Sequence, residues 1–385
     1  MTVKADAWVL YAGDDPKNPV PGDLVRETIE FPDIQDHEVL AQPLYGCWEG
    51  NMLHAVQRTP VDVCHQRKEE KVVLGNAGVV RVLQVGKDVR SVEPGQNAII
   101  FCNGVEDKWG YPEKILAFDA PNTMGCLATR MKLTDRQVIP IPENTRHSMA
   151  QWAAFSLRYV TAWSNWELAH GVFRLLVHWD EMASPHVWGW GGGVTLAELD
   201  LARRHGCRTV MMSGNEIRLQ TIVKTGVTPL DRRQFGPLSF DEKAYKADPE
   251  YREAYKTAEG RFLDTVREMT NNKMVNIFID YIGGPVFRPT LKALAREGVI
   301  TTAGWKEGMQ LSTVRAIECI ERHQHVHTHY ARYPQGWKAV AYAEANGWMP
   351  IIDERIYTFD EVPELLDAYQ NGRVNCFPTF SIVPD

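Results

Sequence analysis

The 385-residue chain has no apolar run near the length that spans a membrane. It lacks a basic excess: 42 Lys and Arg against 49 Asp and Glu leave a net charge of −7, which argues against a general nucleic-acid binder. It has no disulfide frame either. Its seven cysteines (Cys47, Cys64, Cys102, Cys126, Cys207, Cys319 and Cys376) are odd in number and show no paired spacing, as thiols of a reducing compartment do. No secretory leader is legible, because Met1 to Asp6 run into Asp14-Asp15 before any long apolar stretch. These absences predict a soluble, cytoplasmic protein that meets neither nucleic acid nor membrane. What remains is ordinary globular composition, 44% hydrophobic and 24% charged, in a chain long enough for two domains.

The chain is organised around His186-Val187-Trp188-Gly189-Trp190-Gly191-Gly192-Gly193-Val194-Thr195. A short apolar run ends in glycines, and a helical pattern opens at once, with Val194, Ala197 and Leu201 at helical spacing and Gly206 at the stop. Cys207 to Met212 then read as a second strand. Strand, glycine turn, helix and strand make the βαβ unit that holds a dinucleotide. Its glycines let the backbone approach a pyrophosphate, whose charge meets the helix N-terminus. Thr195 stands where the last glycine of the fingerprint is expected, so the phosphate grip is expected to differ.

The end of the second strand reports on the cofactor. An acidic residue there suits the ribose hydroxyls of NAD, whereas a 2′-phosphate calls for cations and hydroxyls. The strand runs into Ser213-Gly214-Asn215-Glu216-Ile217-Arg218, with no carboxylate at its tip. Ser213, Asn215 and Arg218 therefore favour NADPH over NADH.

Residues up to about 155 are rich in short strand-like runs. Asp36 to Leu44 read as a strand, with Pro43 marking an edge or an end. Val72 to Gly86 mix β-branched residues with glycine, as tightly bent strands of a small barrel do. Val92 to Gln96 are a Pro-Gly turn before the strand Asn97 to Phe101. From about Gln151 helices and strands alternate. Residues from about Pro229 to Asn272 are polar and charged, and read as an insertion: a solvated helical insert, a partner surface or a cover over the cofactor. Met274 to Asp280 is a strand, Pro285 to Arg296 a helix, and Gly298 to Gly304 a strand ending in glycine.

This order of pieces resembles the medium-chain dehydrogenase/reductase superfamily over nearly the full length. The matching residues are Gly75 to Gly86 with Pro94-Gly95, Thr161-Ala162-Trp163, Gly189 to Val194, and Asp280 to Gly284. Within it, Trp109-Gly110-Tyr111, the insert and His329-Tyr330-Ala331 are similar to the crotonyl-CoA carboxylase/reductase branch. The resemblance implies an α/β chain with a GroES-like barrel catalytic domain, residues 1–155 and 331–385. A Rossmann doubly wound nucleotide-binding domain, residues 156–330, carries the insert at about 229–272. It implies an enzyme in which hydride passes from NADPH to the β-carbon of an enoyl thioester, on CoA or an acyl carrier protein. The resulting enolate takes up a proton or, in carboxylating members, carbon dioxide. A homodimer or homotetramer is expected. The cofactor-binding candidates are Thr161, Gly189, Gly191, Gly192, Gly193, Val194, Ser213, Asn215, Arg218 and Gly304.

Departures from the family pattern bear on chemistry. The His-Glu of the zinc-dependent relatives is Asn76-Ala77 here, the four-cysteine lobe is missing, and nothing near Cys47 or Cys64-His65 completes a zinc set, so no metal is expected. Tyr111-Pro112 stand where the carboxylating branch has an aromatic residue and Glu, although Glu113 is adjacent. His329 matches the branch's histidine. The Asn-Tyr-Asn loop reads Cys47-Trp48-Glu49, with Asn51 two residues on. A carboxyl at Glu49, if buried, would have a raised pKa and serve as general acid or base; the alternative is a loop carboxylate paired with a cation. The catalytic candidates are thus His329, Glu49, Asn51 and Tyr111. His323, His325, His327 and His329 alternate, and in a strand would share one face, which permits metal binding; without a flanking carboxylate or cysteine pattern the preferred reading is a polar strand face. Three readings stand: an enoyl-thioester reductase or reductive carboxylase, a zinc-free carbonyl or alcohol oxidoreductase, and a non-catalytic nucleotide-binding scaffold.

Overall fold

The computed structural model of the chain describes residues 2–15, 17–177, 184–303 and 311–382. It divides into two compact units, Met1–Val160 with Ala331–Asp385, and Thr161–Tyr330.

The first unit is built from short strands. β1 (Thr2–Tyr11) alternates exposed and buried residues, turning Val3, Ala5, Ala7 and Val9 inward. It pairs antiparallel with β2 (Leu24–Pro32) and β4 (Lys71–Val73). A larger GroES-like barrel sheet gathers β3 (Glu38–Cys47), β5 (Gly78–Val85), β6 (Asn97–Ile100) and β10 (Val138–Pro140) in the order β10-β6-β5-β3, and continues to the strands Thr379–Ser381 and Tyr357–Thr358. Pro43 lies mid-strand and not at an end: it pairs with Val80 of β5 on one side, while on the other β9 pairs only as far as Ala41 and the strand Thr379–Ser381 only from Tyr45, so the residue sits at a local edge within an interior strand. Register shifts on either side of it, at Leu40/Ala41 and Pro43/Tyr45, accommodate a residue with no N–H to donate. Gly46 is dictated by close approach: a Cβ there would stand 2.2 Å from the Phe380 ring. Two short helices follow β3, α1 (Gly50–Gln57) and α2 (Val63–Arg67). β7 (Asn103–Glu106) and β8 (Pro112–Ile115) form a hairpin, and β9 (Met131–Thr134) pairs with β3. The 28-residue helix α3 (Met149–Leu176) contains the division between the units.

The second unit is a Rossmann sheet of parallel strands in the order β13-β12-β11-β14-β15-β16. These are β11 (His186–Trp190), β12 (Arg208–Ser213), β13 (Thr228–Asp231), β14 (Val275–Asp280), β15 (Leu294–Thr302) and β16 (His325–Thr328). β11 and β14 are buried at every residue, as central parallel strands covered on both faces must be. The helices are α4 (Gly193–Arg204), α5 (Glu216–Thr225), α6 (Glu242–Ala247), α7 (Pro249–Met269) and α8 (Gly284–Ala293).

Three expectations are corrected here. Residues 229–272 are no solvated insert: their first residues supply the edge strand β13, and α7 buries Tyr255, Ala258, Phe262 and Val266 along one face. Phe262 packs 5.2 Å from Trp190 and 5.5 Å from Phe235, inside the apolar core of the unit. The helix expected over Pro285 to Arg296 ends at Ala293, because Leu294 already pairs with Val275 on the sheet. The four alternating histidines do not share a strand face. β16 holds only His325 and His327, rings parallel at 6.3 Å, while His323 precedes it with a left-handed φ of 52°. Among the described residues no helix is long and apolar enough to cross a membrane.

Candidate active site

The glycine loop of the second unit is shaped by what its residues lack. Gly191 has a φ of +152°, and a Cβ there would lie 2.1 Å from Thr195 Oγ1. At Gly189 a Cβ would meet Thr195 Cγ2 at 2.7 Å and the Ile279 carbonyl at 2.9 Å. Thr195, fully buried, thus fills the space these glycines leave, with Oγ1 3.4 Å from the Trp190 carbonyl oxygen. The departure from a third glycine is a repacking beneath the loop. The N–H groups of Gly193, Val194 and Thr195 in the first turn of α4 have no intrahelical acceptor, and Gly192 before them has open space at its Cα. A phosphate fits such a cradle, where free N–H groups and the positive end of the helix dipole coincide.

At the tip of β12, Ser213 Oγ accepts the Asn215 N–H at 3.1 Å, and Asn215 caps α5 by accepting the Arg218 N–H at 3.1 Å. Arg218 Nε is buried without a hydrogen-bond partner, a donor awaiting an acceptor. Arg232, past the end of β13, lies against the same tip: a Cβ on Gly214 would stand 3.0 Å from its Nε. Arg232 carries no signal in the sequence, because it lies within the polar 229–272 segment, away from the strand tip along the chain. Ser213, Arg218 and Arg232 are a hydroxyl and two cations where a 2′-phosphate calls for them. The chemistry of these residues fits a dinucleotide that carries an added phosphate. Gly304 lies outside the described residues.

Behind the loop runs a buried polar chain. Tyr281 donates to Glu198 Oε2 at 2.7 Å, and Glu198 Oε1, also buried, has no partner. Burial pushes the Glu198 carboxyl up to about 8, against the hydrogen bond from Tyr281. Tyr281 also bonds Thr301, whose hydroxyl donates to Asn165 Oδ1 at 3.2 Å. Asn165 in turn donates to the carbonyls of Thr161, at 3.0 Å, and His329, at 2.9 Å. Thr161 and His329 are therefore joined through one side chain on α3, a link that no sequence spacing reveals. Asp280 is buried as well, accepting from the N–H groups of Ile282 and Gly283, and burial lifts it to about 6.

In the first unit, Glu49 and Asn51 sit at the start of α1. Glu49 is 4% exposed, and its Oε2 pairs with Arg158 Nε at 3.0 Å. Burial raises the Glu49 carboxyl to about 7, with the Arg158 charge pulling the other way. Both sequence alternatives for Glu49, a raised pKa and a cation partner, hold together. Glu49 Oε1, Asn51 Oδ1, Trp48 Nε1 and both amide atoms of Asn76 are buried and without hydrogen-bond partners. Such unpaired groups are costly unless something else meets them. Tyr111 is placed elsewhere, past the turn of the β7–β8 hairpin, where its N–H is accepted by Asp107 at 2.9 Å and the Arg332 guanidinium lies 5.2 Å from its ring. Arg158 escaped the sequence reading. The signal was a lone cation in the apolar run Trp152-Ala153-Ala154-Phe155 to Tyr159.

Among the described residues, one unit is a barrel of short strands and the other a six-stranded parallel Rossmann sheet. No protein-family profile and no curated protein matches the sequence. Solved structures do match the fold. One is the crotonyl-CoA carboxylase/reductase AntE in complex with NADP, at TM-score 0.79 and 17% identity, covering 98% of this chain and 94% of that one. Another is the 2-octenoyl-CoA carboxylase reductase CinF in complex with NADP and 2-octenoyl-CoA, at TM-score 0.79 and 17% identity over 98% and 87%. A putative alcohol dehydrogenase from Sinorhizobium meliloti 1021 matches at TM-score 0.74 and 19% identity over 99% and 100%.

Proposed function

We propose that the protein is an NADPH-dependent oxidoreductase that reduces an α,β-unsaturated acyl thioester carried on CoA or an acyl carrier protein. The observation that carries this reading is Glu49: a buried carboxyl near neutral pKa with one oxygen unpaired is a proton source for an enolate. The shared fold with enzymes solved with NADP, one also with an enoyl-CoA, supports the cofactor and substrate class. NADPH supplies the hydride that the β-carbon receives. The first turn of α4 would hold its pyrophosphate, and Ser213, Arg218 and Arg232 its 2′-phosphate. Asn76 and Trp48 offer N–H donors to the thioester oxygen as negative charge builds on it. The α-carbon then takes the proton from Glu49, with Asn51 beside it at the start of α1 as a further participant.

The test is product mass after incubation with NADPH and a panel of enoyl thioesters. A product two hydrogens heavier than substrate is expected; no change across the panel overturns the reading. Adding bicarbonate separates plain reduction from reductive carboxylation, against which Pro112 in place of a carboxylate argues. The alcohol dehydrogenase fold match favours a second reading, zinc-free redox chemistry on a carbonyl, with turnover of aldehydes but not of thioesters.

We also infer self-association. β16 is an edge strand, and Val326 on it and Ile317 and Ile320 before it are exposed. A second copy pairing along this edge would cover them. Sedimentation should give a dimer or tetramer, and Val326→Lys should lower the assembly state.

A further inference from the structure

The Glu49 site contains a cation that no hydride-transfer step accounts for. Arg158 is 4% exposed and uses all three of its nitrogens inside one cluster. Nε meets Glu49 Oε2 at 3.0 Å, Nη1 meets Cys47 Sγ at 2.9 Å, and Nη2 donates to the Trp48 carbonyl at 2.7 Å. The guanidinium therefore holds three consecutive residues at the end of β3, and its face lies 5.6 Å from the Phe377 ring. Its helix is fixed two residues earlier, where Ser156 Oγ accepts the Gly78 N–H at 2.9 Å. A planar fork anchored this way does not swing, so the oxygen it grips is fixed too.

We propose that Arg158 is a positioning residue: it pins Glu49 through Oε2 and leaves Oε1 as the single atom through which Glu49 exchanges a proton. This rests on the reading of Glu49 as the acid for the substrate-derived enolate. In that step the O–H bond at Oε1 breaks, the enolate's electron pair forms the α-carbon–hydrogen bond, and Glu49 is left as a carboxylate paired with Arg158. Water returns the proton. The cation and the burial act in opposite directions. Burial alone would keep Glu49 protonated far above neutral pH, and Arg158 alone would keep it ionised; both together allow release and recapture near neutrality. Cys47 also hydrogen-bonds the Glu49 carboxyl and lowers it, Tyr369 and Cys376 face Arg158, and the thiols of Cys47, Cys102 and Cys126 feel Glu49; burial raises these three thiols, Cys102 and Cys126 to about 12. They stay neutral while Glu49 titrates.

The test needs no substrate in its first arm. Infrared difference spectra of the intact protein across pH should contain a protonated-carboxyl band that disappears as pH rises through about 7 and is absent from Glu49→Gln. In Arg158→Met the band should persist to a pH at least about one unit higher, because burial is then unopposed. Arg158→Lys keeps a charge but cannot fork to three acceptors; it should move the band the same way by less, and it serves if the Met variant fails to fold. In the second arm, Arg158→Lys should lower kcat at pH 7 by about tenfold or more while KM for the thioester changes little, and the alkaline limb of kcat should follow the band. A band that titrates at the wild-type pH in both variants, or one that survives in Glu49→Gln, overturns the proposal. A shifted band with no thioester reduced anywhere sinks the enoyl-reductase reading instead, and leaves the Arg158–Glu49 coupling standing.

Discussion

At the scale of single residues, the proposed preference for NADPH rests on charge at the tip of β12. Arg218, with its buried unpaired Nε, and Arg232, against Gly214, should each be worth a charge-assisted contact to a 2′-phosphate. Arg218→Ala and Arg232→Ala should each weaken NADPH binding by about tenfold or more, with NADH binding little changed, as read by nicotinamide fluorescence. Equal losses for both dinucleotides would place these arginines in folding and not in recognition. Ser213, Asn215 and Arg218 stand together already in the sequence, because they follow one another after a strand. Arg232 does not, because only the pairing of Met212 with Leu230 and Ser213 with Asp231 brings the next residue to the tip. Glu198 behaves likewise. On paper it is a helix carboxylate between Ala197 and Leu199; in the fold it is fully buried and faces Tyr281.

At the scale of elements, the glycine loop and α4 are fitted to each other. Gly191→Ala should destabilise the loop, since its φ of +152° and the 2.1 Å approach to Thr195 Oγ1 both oppose a Cβ. Adding Thr195→Gly relieves the contact but not the backbone angle. The double variant should recover part, not all, of the lost dinucleotide affinity in a titration of both single variants and the pair. α7 makes the complementary point. Phe262→Ala should cost about 3–5 kcal/mol in urea unfolding, the range for a large buried aromatic. A solvated helix would lose almost nothing. The pattern Tyr255, Ala258, Phe262, Val266 follows helical spacing and was present in the sequence, but the charged residues between them masked it.

At the scale of the whole molecule, buried acids tie stability to pH. Glu198 is raised to about 8, Glu49 to about 7 and Asp280 to about 6, all above ordinary carboxylate values. A group whose folded pKa is raised stabilises the fold below its unfolded pKa and loses that contribution as pH rises through the folded one. Several histidines shift the other way, His170 down to about 4 and His186 and His205 also down, because burial disfavours their charge. Their contribution is complete above the unfolded histidine pKa and is lost as pH falls below it. Between about pH 7 and 8 most histidines are neutral in both states, so the acids, Glu198 foremost, outweigh them there. Stability should fall across that window, by at most about 1.4 kcal/mol per unit and group. Glu198→Gln should flatten the fall in thermal unfolding. A decline of unchanged slope in that variant would mean Glu198 does not titrate in the fold.

The sequence by itself determined what depends on neighbours along the chain. Strand, glycine turn, helix and strand follow from periodicity and from residues that punctuate it, so the Rossmann unit and the α/β class were readable. The bent Val72 to Gly86 run pointed to the barrel. Tertiary structure decided what depends on distant residues: the mid-strand place of Pro43, the packing of Thr195 against Gly189 and Gly191, and the burial of α7. It also decided the pairing of Glu49 with Arg158, 109 residues apart in the numbering of one ion pair. Periodicity tells which face of an element is apolar, but not which other element covers it. A carboxyl's proton affinity depends on that covering, because desolvation and a nearby charge exist only once the chain has folded.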